Sequence, residues 1–510
     1  MDHKTAKKIK TLNSLADIVA NFKKRGKKIV QCHGVFDVVH LGHIRHFNLA
    51  KKEGDVLVVT ITRDEHVKRG PGRPIFNEHL RAETLASLAV TDFVAIAGSS
   101  TATDSIKLLK PDVYVKGAEY SRRTDDVTGK IYEEEEAVKS VGGRMAFTDD
   151  ITFSSSKLIS DYLEPYPPRT LKYLKALGKR YTIGSVTDSL NSLRNMKTLV
   201  IGDAIIDQYH YCSPMGKSSK EHLIANRYIS EESFTGGSLA TANNVGSVCN
   251  HVDLVTLIRE NDPVENFIRE RLMPNVHPIF FRSLNAETVV KRRFVNEGTN
   301  RKLFEICHIG DNTIERDIET EIGQYLEKVL KGYDLIVVSD FGHGLLSKKL
   351  IKLICRKAKY LAVNVQTNSA NIGFNLVTKY PRANCVCIDE MELRFATHDK
   401  VSNLRTLAKR IYDQLGCGHI IATRGPHGSL SYSRSDGFHE SPALSYQVID
   451  AIGAGDAFFS FVAPCFAKGL PQDLVSFIGN AVGSLAVRIV CNREPVSYVD
   501  LVKFITRLLK

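Results

Sequence analysis

Several things are missing from this 510-residue chain, and each absence removes a class of answers. No apolar run approaches the roughly 20 residues a membrane-spanning helix requires. The lysine-rich opening stretch has no apolar core of the secretory kind, so neither export nor a membrane partner is expected and a cytoplasmic protein is. Ten cysteines are scattered, and the close pair Cys385 and Cys387 has no second pair to complete a zinc site. They read as reduced thiols, and no protein-ligated metal centre is expected. Zinc-finger spacing, an RNA-recognition signature and internal repeats are all lacking. The net charge of +12 is concentrated: residues 1–28 hold nine Lys/Arg against two Asp/Glu, which accounts for seven of the twelve. A solvated basic leader explains that better than a nucleic-acid partner.

What is present belongs to a globular protein of two or three domains, with 43% hydrophobic and 25% charged residues. In residues 1–163, Lys28–Cys32 reads as a short strand, and the stretch His33 to His43 hands it over to a helix at 44–53. Two imidazoles, His40 and His43, therefore stand where free backbone N–H groups and a positive helix end gather, a setting suited to phosphate. Asp55–Ile61, Phe93–Ile96 and Asp112–Gly117 read as further strands, with helices at 78–89 and 103–109. The alternation predicts a parallel sheet whose ligands bind beyond the carboxyl ends of its strands. Pro165, Pro167 and Pro168 mark a break, and residues 164–195 read as an ordered or semi-rigid connector without a Gly/Ser tether.

Residues 196–510 repeat the pattern. Thr198–Gly202 is a strand ending at Asp203, with Asp207 four residues on, and Gly236-Gly237 leads into a helix start at Ser238–Asn244. Strands at Leu335–Val338, Tyr360–Val363 and Ile420–Thr423 alternate with helices at 347–357 and 402–415. The fold class is α/β, with two doubly wound domains. In Gly453-Ala454-Gly455-Asp456 the two glycines let backbone approach a phosphate, and Asp456 at the following helix start is placed to take a proton from a hydroxyl. Walker and dinucleotide motifs fail: Gly216-Lys217-Ser218 lacks the earlier glycine, and Gly453-x-Gly455-x-x-Phe458 lacks the third.

The first domain resembles the cytidylyltransferase-like nucleotidyltransferases. The blocks are Gly34-x-Phe36-Asp37-x-x-His40-x-Gly42-His43, Thr62-Arg63-Asp64, Arg73-Pro74, Arg81-Ala82-Glu83, Pro111 to Tyr120, and Thr152 to Lys157, in order. The resemblance implies that Phe36 and Asp37 belong to the nucleotide site. His40 and His43 can donate to the α-phosphate and the leaving group, Arg81 and Lys116 are candidate charge partners, and Ser154, Ser155 and Ser156 can hold phosphate oxygens. Mg²⁺ accompanying ATP, or another nucleoside triphosphate, is implied as well.

The second domain resembles the ribokinase-like carbohydrate kinases through Gly202-Asp203 with Asp207, Gly236-Gly237, Ser339-Asp340, Thr423-Arg424-Gly425-Pro426-x-Gly428 and Asp450 to Asp456. This implies Asp456 as catalytic base. Thr423, Gly425, Gly453, Ala454, Gly455, Asp389 and Glu392 would lie on the nucleotide and its phosphates, and Asp203, Asp207, Gly237, Asn244 and Asp340 on the sugar. The chain departs from the family at Ala240 and Thr241, where an asparagine is usual, and at Asn364-Val365-Gln366, where heptose kinases carry Asp-Pro-Lys. Asp389-Glu390-Met391-Glu392 stands for the usual Asn-x-x-Glu. Both signatures together resemble the bifunctional heptose-phosphate kinase/nucleotidyltransferases, with the domain order reversed. That implies ATP-dependent phosphorylation of a sugar phosphate, formation of an ADP-sugar from a sugar 1-phosphate, and a homodimer. The alternative is a cytidylyltransferase for a polyol or sugar phosphate beside a non-catalytic kinase-like module.

Overall fold

The computed structural model describes residues 3–67, 73–99, 101–117, 130–148, 166–310, 314–445 and 447–509. Two compact units divide the chain: residues 1–168 with 502–508, and residues 169–501. Helices at Pro168–Arg180 and Ile183–Asn191 occupy most of the connector.

The first unit is built on six parallel strands: β1 (Ile9–Lys10), β2 (Ile29–Gly34), β3 (Val56–Thr62), β4 (Phe93–Ala97), β5 (Val113–Gly117) and β6 (Arg144–Thr148). Their order is β1-β4-β3-β2-β5-β6. All seven residues of β3 are buried, which follows from helices covering both faces of a parallel sheet. From β2 the chain winds one way to β3 and β4, and from β5 the other way to β6. The switch therefore falls between β2 and β5, and the histidine stretch leaves the carboxyl end of β2 there.

The second unit holds two sheets. The larger has nine strands: β7 (Lys197–Gly202), β10 (His251–Arg259), β11 (Val276–Ser283), β14 (Leu335–Asp340), β15 (Leu361–Val365), β16 (Cys385–Asp389), β17 (His419–Thr423), β18 (Ser429–Ser433) and β19 (Gly437–Ser441). Their order is β11-β10-β7-β14-β15-β16-β17-β18-β19, parallel except for the last two pairings. The smaller sheet, β13-β12-β8-β9, comprises β8 (Ala204–Lys217), β9 (Ile224–Gly237), β12 (Val289–Asn296) and β13 (Arg301–His308). Sequence reading did not anticipate it. Its strands are rich in charge and lack clean alternation, as in Lys291-Arg292-Arg293, so the period-two signal is weak.

The helix Ala454–Ala467 is buried on every side from Asp456 to Phe466, as expected of a helix apolar all round. It packs on Gln472–Ala486 so closely that a Cβ on Gly479 would meet the Phe458 ring at 2.7 Å. Among the described residues no helix is long and apolar enough to cross a membrane, and all ten cysteines are free.

Candidate active sites

In the first unit the helix begins at Leu41, three residues earlier than the sequence predicts, because His40 is its N-cap. The Gly42 N–H donates to His40 Nδ1 at 3.1 Å, and the His40 N–H donates to His43 Nδ1 at 3.4 Å. The two rings stack with centroids 4.0 Å apart. An imidazole whose Nδ1 accepts a hydrogen bond is neutral and carries its proton on Nε2. The cap thus assigns the tautomer of both rings and makes each Nε2–H a donor. Burial holds His40 below the ordinary histidine value, which keeps the ring neutral. Phe36 sits at φ +48° with its ring edge-on to His43 at 5.3 Å and packed against Phe47. Its ring fills the space a Cβ on Gly34 would need, at 2.9 Å. Phe36 shapes the histidine site from behind.

Three assignments change in this unit. Arg81 is 1% exposed, and its guanidinium is already committed. It donates to the carbonyl oxygens of Phe76 (3.0 Å), Val35 (2.5 Å) and Thr62 (2.8 Å), and to Asp64 Oδ1 (2.5 Å). It fastens the loop after β2 to the end of β3 instead of holding phosphate. Asp37 is likewise buried, accepting from Arg73 Nη1 (3.1 Å) and from the Ile75 and Phe76 N–H groups (2.7 and 3.1 Å). It organises the loop. Lys116 pairs with Glu134 at 2.7 Å, and its charge, after burial, helps push the His46 imidazole down to about 4. Ser154, Ser155 and Ser156 lie outside the described residues.

In the second unit most of the predicted residues converge on one cleft of about 950 Å³. Asp207, Gly237, Asp389, Glu392, Thr423, Gly425, Gly453, Ala454, Gly455 and Asp456 all line it. Gly453 adopts φ +81°, and a Cβ there would strike Asn492 Oδ1 at 1.9 Å, so only glycine serves. Gly455 has open space where its Cβ would be, which leaves the N-terminal backbone of the helix accessible to an anion. Asp456 stands in the first turn. Burial, reinforced by the nearby Asp207 carboxylate and opposed by a hydrogen bond from Gln366 and by Lys291, pushes its carboxyl up to about 7. Glu392 is also pushed up, first by burial and then by Asp389, while it accepts from the Asp389 and Thr367 N–H groups at 2.8 and 3.0 Å.

Other predicted sugar contacts are not in this cleft. Asp340 is 0% exposed and bound by Tyr380 Oη (2.6 Å), Lys379 Nζ (2.6 Å) and the Gly342 N–H (3.0 Å). Asn244 donates to the Ala240 carbonyl at 2.9 Å and accepts from the Val496 N–H at 3.0 Å. Both have their polar groups spent inside the fold, which corrects their assignment to sugar. Asp203 accepts from the Phe341 and His343 N–H groups at 3.0 and 3.3 Å and lines a separate pocket of about 440 Å³. Burial and Asp340 push it up to about 6.

The small sheet supplies what the sequence did not reveal. Lys291 and Arg293, two apart on β12, both face the cleft; that spacing was the available signal. Arg293 is paired with Asp207 and, at 2.6 Å, with Glu305. Asp450, just ahead of the glycine turn, accepts from Tyr209 Oη of β8 (2.6 Å), Lys302 Nζ of β13 (2.5 Å), and the Ile452 and Cys491 N–H groups (3.1 Å each).

Two family models match separate parts of the chain. Residues 32–161 match the family model "Cytidylyltransferase-like", and residues 295–491 match "pfkB family carbohydrate kinase". "Bifunctional protein HldE" of Syntrophotalea carbinolica is 35% identical over 162 residues, 31% of this chain and 32% of that protein. Its counterpart in Geobacter metallireducens is 40% identical over 165 residues, 31% of this chain and 32% of that protein. The chain thus spans about a third of the length of these curated relatives. Phosphofructokinase-2 from Escherichia coli superposes on 62% of this chain and 100% of its own with a TM-score of 0.52 at 14% identity, a likeness of fold. The chain carries a cytidylyltransferase-like domain towards its N-terminus and a pfkB-type carbohydrate kinase domain towards its C-terminus.

Proposed function

We propose that the chain is a bifunctional cytoplasmic enzyme of nucleotide-sugar synthesis. Its kinase domain phosphorylates a sugar phosphate of the heptose 7-phosphate type with ATP. Its nucleotidyltransferase domain converts a sugar 1-phosphate into an ADP-sugar. The observation that carries the reading is the meeting of Asp456, the Gly453–Gly455 turn and Asp207 around one cleft, in a chain that also holds the capped histidine pair. A complete base-and-phosphate set favours a working kinase over a non-catalytic module.

In the kinase, Asp456 takes the proton of the acceptor hydroxyl as its oxygen attacks the γ-phosphorus in line. The bond to the β-bridging oxygen breaks and ADP leaves. The N–H groups at the start of Ala454–Ala467 meet the negative charge on the phosphate oxygens. Lys291 brings a positive charge to the cleft lining, suited to an acceptor that is itself phosphorylated, while the Arg293 guanidinium is taken up by Asp207 and Glu305. Asp389 and Glu392, at the cleft, are the residues that would hold a Mg²⁺ carried in on the nucleotide, chiefly through Asp389 Oδ2, because both Glu392 oxygens accept backbone N–H groups and Asp389 Oδ1 accepts from the Glu392 N–H. The ion supplies charge neutralisation on the phosphates when bound.

In the transferase no protein base is needed, because a phosphate oxygen of the sugar 1-phosphate is the nucleophile. It attacks the α-phosphorus, the α–β bridge breaks and pyrophosphate leaves. Neutral His40 and His43 donate from Nε2 to the oxygens on which charge develops. We also propose a homodimer, supported by the apolar side chains that the small sheet exposes, including Met215, Ile224, Tyr228 and Phe304. Sedimentation at the dimer mass is expected.

Purified protein supplied with ATP, Mg²⁺ and a panel of heptose, hexose and polyol phosphates should form ADP. Each nucleoside triphosphate paired with sugar 1-phosphates should release pyrophosphate, most with ATP. Absence of ADP across the panel, with pyrophosphate release intact, would overturn the kinase half.

A further inference from the structure

The segment that departs most from the related kinases, Asn364-Val365-Gln366, leads directly to the proposed base. The Asn364 amide donates from Nδ2 to the Cys387 carbonyl at 2.8 Å. Its other end, Oδ1, must therefore face Gln366, and only the NH₂ end of Gln366 can answer it, at 3.0 Å. The second hydrogen of that NH₂ group goes to Asp456 Oδ1. The network fixes both amide orientations without ambiguity, since reversing either would set oxygen against oxygen.

The backbone holds the amide equally firmly. The Gln366 N–H donates to the Asp340 carbonyl at 2.9 Å, and its carbonyl accepts from Asn375 Nδ2 at 3.0 Å. Asn375 Nδ2 also reaches the Asp340 carbonyl, at 3.1 Å. Asn368 and Asn371 both donate to the Phe341 carbonyl, each at 2.8 Å. Side-chain amides thus clamp the loop after β15 to the end of β14, and Gln366 projects from that clamp into the cleft.

We infer that Gln366 is the positioning residue of the phosphoryl-transfer site: it holds Asp456 Oδ1, so that Oδ2 is the oxygen presented to the acceptor hydroxyl. The inference rests on the reading of Asp456 as the base. A carboxylate free to rotate about its Cβ–Cγ bond meets the hydroxyl in many orientations, whereas one tethered through a single oxygen keeps the other on the line of attack. The other charged or titratable groups bearing on Asp456 are Asp207 of β8, Lys291 of β12, the Cys387 thiol of β16 and Glu392 of the following helix. Gln366 is the one that donates a hydrogen bond to it among the described residues.

The test compares full-length wild type, Q366L, Q366K and D456N. Two readouts are followed: ADP formation against pH, and direct titration of Asp456 by ¹³C NMR of carboxyl-labelled aspartate. The Asp456 resonance is identified by its loss in D456N. Q366L is expected to lower kcat on the order of 10²-fold while leaving KM for ATP within about twofold. It should raise the Asp456 titration by about one pH unit, because the lost bond favoured the charged form. Q366K retains a donor and adds a positive charge, so it should recover much of kcat and move the titration downward. Opposite shifts in two variants of wild-type melting temperature support the inference. If Q366L does not fold, Q366K still has to shift the titration down. Titrations that do not move in either variant, or an unchanged kcat in Q366L, overturn it. Opposite titration shifts in a protein whose wild type makes no ADP would instead overturn the kinase reading and leave the Gln366–Asp456 contact standing.

Discussion

The histidine site and the glycine-turn site solve one problem with opposite materials. On the proposed reading, each offers phosphate the start of a helix, where unsatisfied N–H groups gather. In the first unit two aromatic rings cap the helix and convert backbone donors into side-chain donors, Nε2–H on His40 and His43. In the second the cap is left bare by Gly453 and Gly455, and a carboxylate stands one residue further in. In the proposed reactions the difference follows from the nucleophile. A phosphate oxygen arrives already charged and needs only partners for the charge that develops, whereas a hydroxyl must lose a proton.

That contrast can be broken at several points. The largest effect is expected from D456N, which should lower ADP formation by about 10⁴-fold or more while pyrophosphate release continues. H43A should do the reverse, reducing pyrophosphate release on the order of 10²–10³-fold and sparing ADP formation. Crossed effects in either variant would show that the two sites are not independent.

Acidity should separate them as well. Asp456 acts only when deprotonated, and with its carboxyl raised to about 7, ADP formation should fall as pH drops through that value. His40 is shifted the other way, so its ring stays neutral and capped to below the ordinary histidine range, and pyrophosphate release should persist to lower pH than ADP formation. The sign for stability agrees: a folded-state pKa below the unfolded one contributes stability above the unfolded value that is lost as pH falls through the folded one. Parallel pH profiles for the two products would contradict this.

The smallest effects concern the scaffold. R81M strands three carbonyls and Asp64 and should cost the first unit about 3–5 kcal/mol, seen as an earlier thermal transition. G479A forces a methyl against Phe458 and should cost about 1–3 kcal/mol in the second.

Much of this was legible in the residues, and the exceptions have physical causes. Continuous apolar runs such as Val56–Thr62 announce strands buried on both faces, and two glycines before an aspartate announce the helix start at Ala454. The helix start at Leu41 was missed because histidine is not among the usual capping residues. The motifs put Arg81 and Asp37 on substrate because a charged residue looks the same in sequence whether its partners belong to a ligand or to the backbone. The same ambiguity affects Asp340 and Asn244. The small sheet escaped because its strands owe their stability to pairing across long sequence separations, as between Asp207 and Phe234, more than to any local pattern.

The fastening of Asp450 has a wider consequence. One carboxylate answers to Tyr209, Lys302 and the backbones of Ile452 and Cys491. The turn proposed to receive phosphate therefore borrows its stiffness from a β-ribbon that begins some 250 residues earlier in the chain. Wear at that ribbon, whether from a nick in the hairpin between Lys217 and Ile224 or from gentle heating, would silence the kinase before its own machinery had been touched.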